Sequence, residues 1–178
     1  DVCSSDLEYP PTSEGATEYL DRVLDEIGEP VFILGHSFGS TRATAYAAAR
    51  PQKVRGLALL APFGIRPHAG YRALPDMQRI RMAKDVPSDL SVVEEEIRTT
   101  FESIGFRNFS DQDLHMTIES LTNFDFGVYT DQIKSLTCST FAAWAKDDRM
   151  IESEIVEELV PLLPGGPRIT FDQGGHNI

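Results

Sequence analysis

The chain has 178 residues, 41% of them hydrophobic and 25% charged, with a formal net charge of −12 and a pI near 4.7. That length accommodates one hydrophobic core, and the acidic excess excludes a broad basic surface for nucleic acid or anionic membrane. Two cysteines, Cys3 and Cys138, are too few for a disulfide framework, no C-x-x-C pair suggests a metal site, and no run of 18 apolar residues marks a membrane span.

Residues Asp1–Leu7 (DVCSSDL) have neither the charge layout nor the apolar core of a signal peptide. They resemble the in-frame translation of a common sequencing-library adapter, and are expected to be non-native and to stand outside the fold. In Ser13–Ile27 the apolar residues Ala16, Tyr19, Leu20, Val23, Leu24 and Ile27 fall at helical spacing, with Ser13 as candidate N-cap and Gly28 as terminator. Pro30–Leu34 (PVFIL) is a short apolar run between turn residues, which predicts a strand buried on both faces. Ser40–Arg50 is alanine-rich and helical, closed by Pro51, and Val54–Leu60 reads as a second buried strand. Between about residues 67 and 135 the apolar spacing is helical, with Leu90–Ile104 and Asp111–Leu121 the clearest helices. The strand pattern then returns at Ser139–Trp144, followed by a helix over Ser153–Val160 and a strand over Arg168–Phe171. Cys138, in an apolar stretch, reads as a small buried hydrophobe. Alternating helices and strands predict an α/β fold with a mostly parallel sheet and flanking helices. The expected organisation is a core from residues 8–66 and 136–178, interrupted by a helical insertion at 67–135.

Gly35-His36-Ser37-Phe38-Gly39 fits G-x-S-x-G, a pattern that chance produces in roughly 5% of chains this long, so its context decides its weight. That context is the one the motif requires: a strand, PVFIL, before it and a helix, STRATAYAAAR, after it. A strand turning abruptly into a helix would hold the Ser37 hydroxyl exposed in strained backbone geometry. Glycines at both flanks are expected to relieve crowding across the turn. A serine nucleophile needs a base, and the base needs a group to orient it. Of the four histidines, His36 adjoins Ser37 and should point away from its hydroxyl, while His68 and His115 lie in or beside the insertion and read as surface positions. His176 follows the last predicted strand, where α/β sheets carry their functional loops, and is the candidate base. The acid should follow STFAAW, where Asp147 and Asp148 are adjacent and either could reach the imidazole; one of them could instead cap the next helix.

GHSFGS after PVFIL, followed by RPQKVRGLALLAPFG, resembles the nucleophile region of the α/β-hydrolase superfamily. WAKDDRMI resembles that family's acid loop, often W-G-x-x-D, with Ala145 in place of the glycine; this alignment implies Asp148 as the acid. FDQGGHNI resembles the histidine loop, and PFGIRPHAGYR is similar to a subgroup of these hydrolases found in bacteria and animals. The resemblance runs from Glu8 to the end of the chain. It implies a helical cap over the site, a Ser37–His176–Asp148 triad, and the Phe38 N–H as one oxyanion donor. Family members have further strands before the nucleophile, one of which supplies a second oxyanion donor, and a closing helix after the histidine. Neither is matched here, so the stretch is expected to be a fragment of a longer protein, its true N-terminus missing and its compartment unread, the cytoplasm being the default. The implied chemistry is acyl transfer to water on an ester or other carbonyl compound with apolar parts. Phe63 and Met150, with Phe38, are candidate pocket residues, and no metal or other cofactor is required. The alternatives are a non-hydrolytic triad enzyme of the same fold (lyase, acyltransferase or cofactor-free oxygenase), a non-catalytic binding protein, and a stretch too incomplete to be active by itself.

Overall fold

The computed structural model describes residues 13–73, 95, 98, 99, 102 and 110–178. Asp1–Leu7 and most of the expected helix Leu90–Ile104 lie outside these residues; positions 95, 98, 99 and 102 are helical. The described residues form α1 (Ser13–Ile27), β1 (Val31–His36), α2 (Gly39–Ala49), β2 (Val54–Leu60), α3 (Ala69–Ala73), α4 (Asp111–Thr122), α5 (Phe126–Ser135), β3 (Ser139–Ala145), α6 (Ser153–Leu159) and β4 (Arg168–Phe171). Short 3₁₀ turns at Pro51–Lys53 and Val160–Leu162 close α2 and α6. Ser13, expected as a cap, is the first residue of α1, and Gly28 ends that helix in a left-handed conformation (φ 74°) that a side chain would oppose. Among the described residues no helix is long and apolar enough to cross a membrane.

The four strands form one parallel sheet in the order β1-β2-β3-β4. The chain divides into two compact units, the larger comprising residues 13–71 and 125–178. It holds the whole sheet, and α5 packs within it against α2. The helix α4 belongs to the smaller unit, and its first turn is closed by a reciprocal capping box between Ser110 and Asp113.

One face of the sheet is the core. Leu57, Leu59, Thr140, Ala142 and Trp144 are buried there, and the small side chains of α2 (Ser40, Ala43, Thr44, Ala47) let that helix approach β1 and β2 closely. Asp21 ties α1 to α2 by accepting bonds from Tyr46, Arg50 and Lys53; led by the Lys53 ammonium, these contacts outweigh burial and hold its carboxyl down at about 2. The opposite face departs from expectation. Phe32 and Leu34 of β1 are 78% and 62% exposed, so this strand is not buried on both faces. Leu34 pairs in register with Ala58 and Ala58 with Phe141, while Ile169 and Phe171 of β4 stand exposed on the same face. The physical reason is positional: β1 is an edge strand among the described residues, and its outward-facing side chains find no covering element there. Cys138, expected to be buried, is partly exposed just before β3.

Candidate active site

Each candidate residue sits at or just beyond the carboxyl end of a strand. β1 runs into Ser37, whose φ of 51° is a left-handed conformation rarely adopted by a residue with a side chain. The turn stays attached to the sheet through Ser37 N–H, which donates to Leu60 O at 3.0 Å, and α2 opens with Ser40 N–H on Ser37 O at 2.9 Å. Glycine is required at only one flank. A Cβ on Gly35 would lie 2.7 Å from Ser40 Cα, 2.8 Å from Gly39 O and 2.9 Å from Ala43 Cβ, whereas a Cβ on Gly39 would meet nothing within 4 Å. The expectation of crowding at both flanks therefore holds for Gly35 and fails for Gly39, which lies on the outer side of the turn. Behind the turn, Ser40 Oγ accepts from Phe63 N–H at 3.0 Å and anchors the segment after β2.

The structure brings Ser37, His176 and Asp148 together in one hydrogen-bonded chain. Ser37 Oγ lies 2.7 Å from His176 Nε2, and His176 Nδ1 lies 2.8 Å from Asp148 Oδ2. The second oxygen of Asp148 accepts from Met150 N–H (2.8 Å) and Ile151 N–H (3.1 Å), so the loop backbone fixes the carboxylate plane. The Asp148 side chain is only 2% exposed and that of His176 8%. Burial raises the Asp148 pKa, but the bond and charge of His176 with the two backbone N–H groups more than offset it, leaving the carboxyl below its ordinary value. The arrangement can take a proton from a serine hydroxyl and stabilise the imidazolium that results. Phe38, whose N–H is the candidate oxyanion donor, lies at the entry to α2 with φ −58° and ψ −30°.

Neither aspartate caps α6. Asp147 Oδ1 instead accepts from Gly174 N–H (2.9 Å) and Gly175 N–H (2.8 Å), the two residues before His176. His36 does not contact the Ser37 hydroxyl; its Nε2 lies 2.9 Å from His176 O, and the two imidazoles tilt at 52° with centroids 5.1 Å apart. Sequence reasoning missed both contacts. His68, expected at the surface, is 3% exposed. Its Nδ1 lies 2.9 Å from Met150 O, a carbonyl that also accepts from Gly70 N–H, and Ala69 N–H donates to Glu152 Oε2 at 2.8 Å. This short segment thus straps the acid loop. Burial pushes the His68 pKa down to about 4, and its Nε2 has no partner among the described residues.

Phe63 is buried in an aromatic cluster, edge-on to Phe38 at 5.0 Å and to His68 at 4.6 Å, and stacked on Phe126 at 6.0 Å. Met150 packs partly buried against Trp144, Ile151 and Val156, so both candidate pocket residues take part in core packing. The Trp144 indole N–H donates to Ser153 Oγ at 3.0 Å and joins the end of β3 to α6.

The profile of the family described as alpha/beta hydrolase of unknown function (DUF1057) matches residues 12–172. The chain belongs to that family. It is similar to a 2-hydroxy-6-oxononadienedioate/2-hydroxy-6-oxononatrienedioate hydrolase of Cupriavidus pinatubonensis, 26% identical over 175 residues that cover 88% of this chain and 60% of the relative. The α/β-hydrolase chain therefore spans about 60% of the length of the curated relatives it matches. Among solved structures it resembles a lipase-esterase related protein of Clostridium acetobutylicum, with a TM-score of 0.64 and 16% identity over 98% of this chain and 72% of that one. It also resembles a meta-cleavage product hydrolase of Pseudomonas fluorescens, with a TM-score of 0.58 and 20% identity over 98% and 67% of the two chains. At these identities the likeness concerns the fold.

Proposed function

We propose that this α/β-hydrolase chain carries the nucleophile, base and acid of an enzyme that transfers the acyl group of a carbonyl substrate to water. The supporting observation is the unbroken path from Ser37 Oγ through the His176 imidazole to Asp148, with distances of 2.7 and 2.8 Å. In this reading His176 Nε2 takes the Ser37 proton as Oγ attacks the carbonyl carbon. The Asp148 carboxylate holds the imidazole in the tautomer that leaves Nε2 free to accept, and stabilises its charged form. The Phe38 N–H donates to the developing oxyanion. His176 then returns the proton to the leaving group, and a water deprotonated by the same imidazole releases the acyl group from Ser37. The substrate is an ester or other carbonyl compound with apolar parts, and Phe63 and Met150 contribute to the wall of its pocket.

The test is release of 4-nitrophenol from 4-nitrophenyl butanoate, read alongside covalent labelling by a fluorophosphonate. Ser37→Ala should lose both. Asp148→Asn should lose about 10⁴ in kcat, because an amide there leaves the imidazole in the wrong tautomer. Turnover that survives Ser37→Ala unchanged overturns the proposal.

The curated relatives are named for 2-hydroxy-6-oxo dienedioates, which favours a second reading in which the substrate carries a ketone and carboxylates in place of an ester, so that the bond broken is a C–C bond to the ketone carbon and the proton goes to the departing carbon. Turnover of a 6-oxo dienoic acid with inert simple esters would select it. Product formed without net uptake of water would point to lyase, acyltransferase or oxygenase chemistry on the same triad.

A further inference from the structure

The base of the proposed triad lies in the final stretch of the chain, outside any regular element. Phe171, the last residue of β4, and His176 are five positions apart. β4 lies three strands from β1 in the sheet, a distance of about 14 Å. Five residues reach about 17 Å when fully extended, and this loop is not extended: it bends at Asp172 and Gln173, and the His176 side chain spans the last part of the distance to Ser37. A bent segment outside regular secondary structure keeps one path across the strand ends only where its main chain is tied along the way.

Two ties occur in the order of the sheet. Beyond the end of β3, one oxygen of Asp147 receives two consecutive backbone N–H groups, Gly174 at 2.9 Å and Gly175 at 2.8 Å. At the end of β1, His36 Nε2–H donates to the carbonyl of His176 itself at 2.9 Å. The glycines fit this role. Gly175 adopts φ 66°, and a Cβ on Gly174 would come within 2.7 Å of Ile178 Cγ2. An ion pair between Lys146 and Asp172 adds a third contact, but both side chains are largely exposed and its contribution is small.

We infer that Asp147 and His36 are positioning residues that clamp the main chain on the two sides of the His176 Cα, so that the imidazole keeps its reach to Ser37. Asp147 acts there as a hydrogen-bond acceptor, its charge being incidental, and His36 acts as a donor. This rests on the proposed role of His176 as base. The two adjacent aspartates then serve different ends, since Asp148 orients the imidazole and Asp147 holds the backbone that carries it.

The experiment measures kcat and KM for 4-nitrophenyl butanoate, and the fluorophosphonate labelling rate, in Asp147→Ala, Asp147→Asn, His36→Leu and His36→Gln. Asparagine keeps an acceptor oxygen in place of the carboxylate, and glutamine places an amide donor where His36 Nε2 stands. The truncations should lower kcat and labelling about 10- to 100-fold, the range expected for a displacement near 1 Å, with KM within twofold. The conservative variants should restore both rates to within about threefold of wild type, within the scatter of an intact hydrogen bond. Wild-type kcat in both truncations overturns the clamp, as does an Asp147→Asn variant as impaired as Asp147→Ala. If a truncation fails to fold, folded Asp147→Asn and His36→Gln carry the test, and a tenfold loss in either overturns it. Failure of the underlying reading is separate: wild-type protein would then resist fluorophosphonate, or Ser37→Ala would match it.

Discussion

Acidification should weaken this fold through His68 before it reaches the carboxylates. The imidazole is 3% exposed, and burial is the largest influence on it. The Met150 carbonyl, Glu152 and Asp148 favour the charged form, while His176 opposes it. Desolvation wins, and the pKa falls from 6.5 to about 4. The unfolded chain therefore binds a proton near pH 6.5 that the folded chain refuses until about pH 4. Stability from this group is complete above pH 6.5 and drains away as the pH falls through that window. One pKa unit is worth about 1.4 kcal/mol, so the loss between pH 7.5 and pH 4 is about 3 kcal/mol. That is a large share of the margin of a small domain. The assay is urea unfolding at several pH values for wild type and His68→Asn, whose amide N–H₂ can still donate to Met150 O but does not titrate. The variant should lose a constant amount for its smaller volume and show a flatter pH dependence, so the two curves converge as the pH falls. Parallel curves across this window would rule out His68 as the source of the acid sensitivity. Asp148 and Asp21, with carboxyls already below their ordinary range, lose their contributions only at more acid pH, which keeps the His68 window distinct.

Two further outcomes follow from packing. Gly35→Ala should destabilise the chain by about 1–3 kcal/mol in the same unfolding assay, because its Cβ meets backbone and a short side chain that cannot move aside; Gly39→Ala should stay within about 0.5 kcal/mol. The exposed apolar face of the sheet should bind the dye ANS. Replacing Phe32 and Leu34 together by Thr should lower that fluorescence while far-UV circular dichroism stays unchanged; undiminished fluorescence would place the dye elsewhere.

The strands and helices of the larger unit were legible because their signals are local. Val54–Leu60 and Arg168–Phe171 are observed with the bounds that composition and punctuation predict. Ser139–Trp144 gains one residue, and α6 ends one residue before its predicted end, at Leu159. What packs across a strand is not a local property. Val31–His36 carries the apolar run of a buried strand, yet Phe32 and Leu34 stand exposed, since burial depends on elements contributed from elsewhere in the chain. His68 errs in the opposite direction. Beside a helical insertion it reads as a surface residue, and it is buried because Phe63 and Tyr71 flank it in its own stretch and Met150 meets it from the acid loop 82 positions away.

The site shows the same division at finer grain. Its residue types were readable, since serine at a strand-to-helix turn and histidine after a last strand each carry a reason of their own. Adjacent Asp147 and Asp148 could not be told apart by residue physics, because both follow β3 and both reach the histidine loop. They differ in what they meet 27 or 28 positions away, backbone N–H for one and imidazole for the other. The two glycines of the turn look equivalent in the motif, and only Gly35 is crowded. Ala61 offers no signal at all: its φ of 40° arises where the end of β2 is drawn to Ala143 O, next to the strained Ser37 turn. A motif thus specifies where the chain must turn and which groups are available. Which oxygen receives which N–H is decided by the strand order that brings the loops after β1, β3 and β4 to one edge of the sheet. A variant that altered that order would leave all three motifs readable and the hydrogen-bonded path broken.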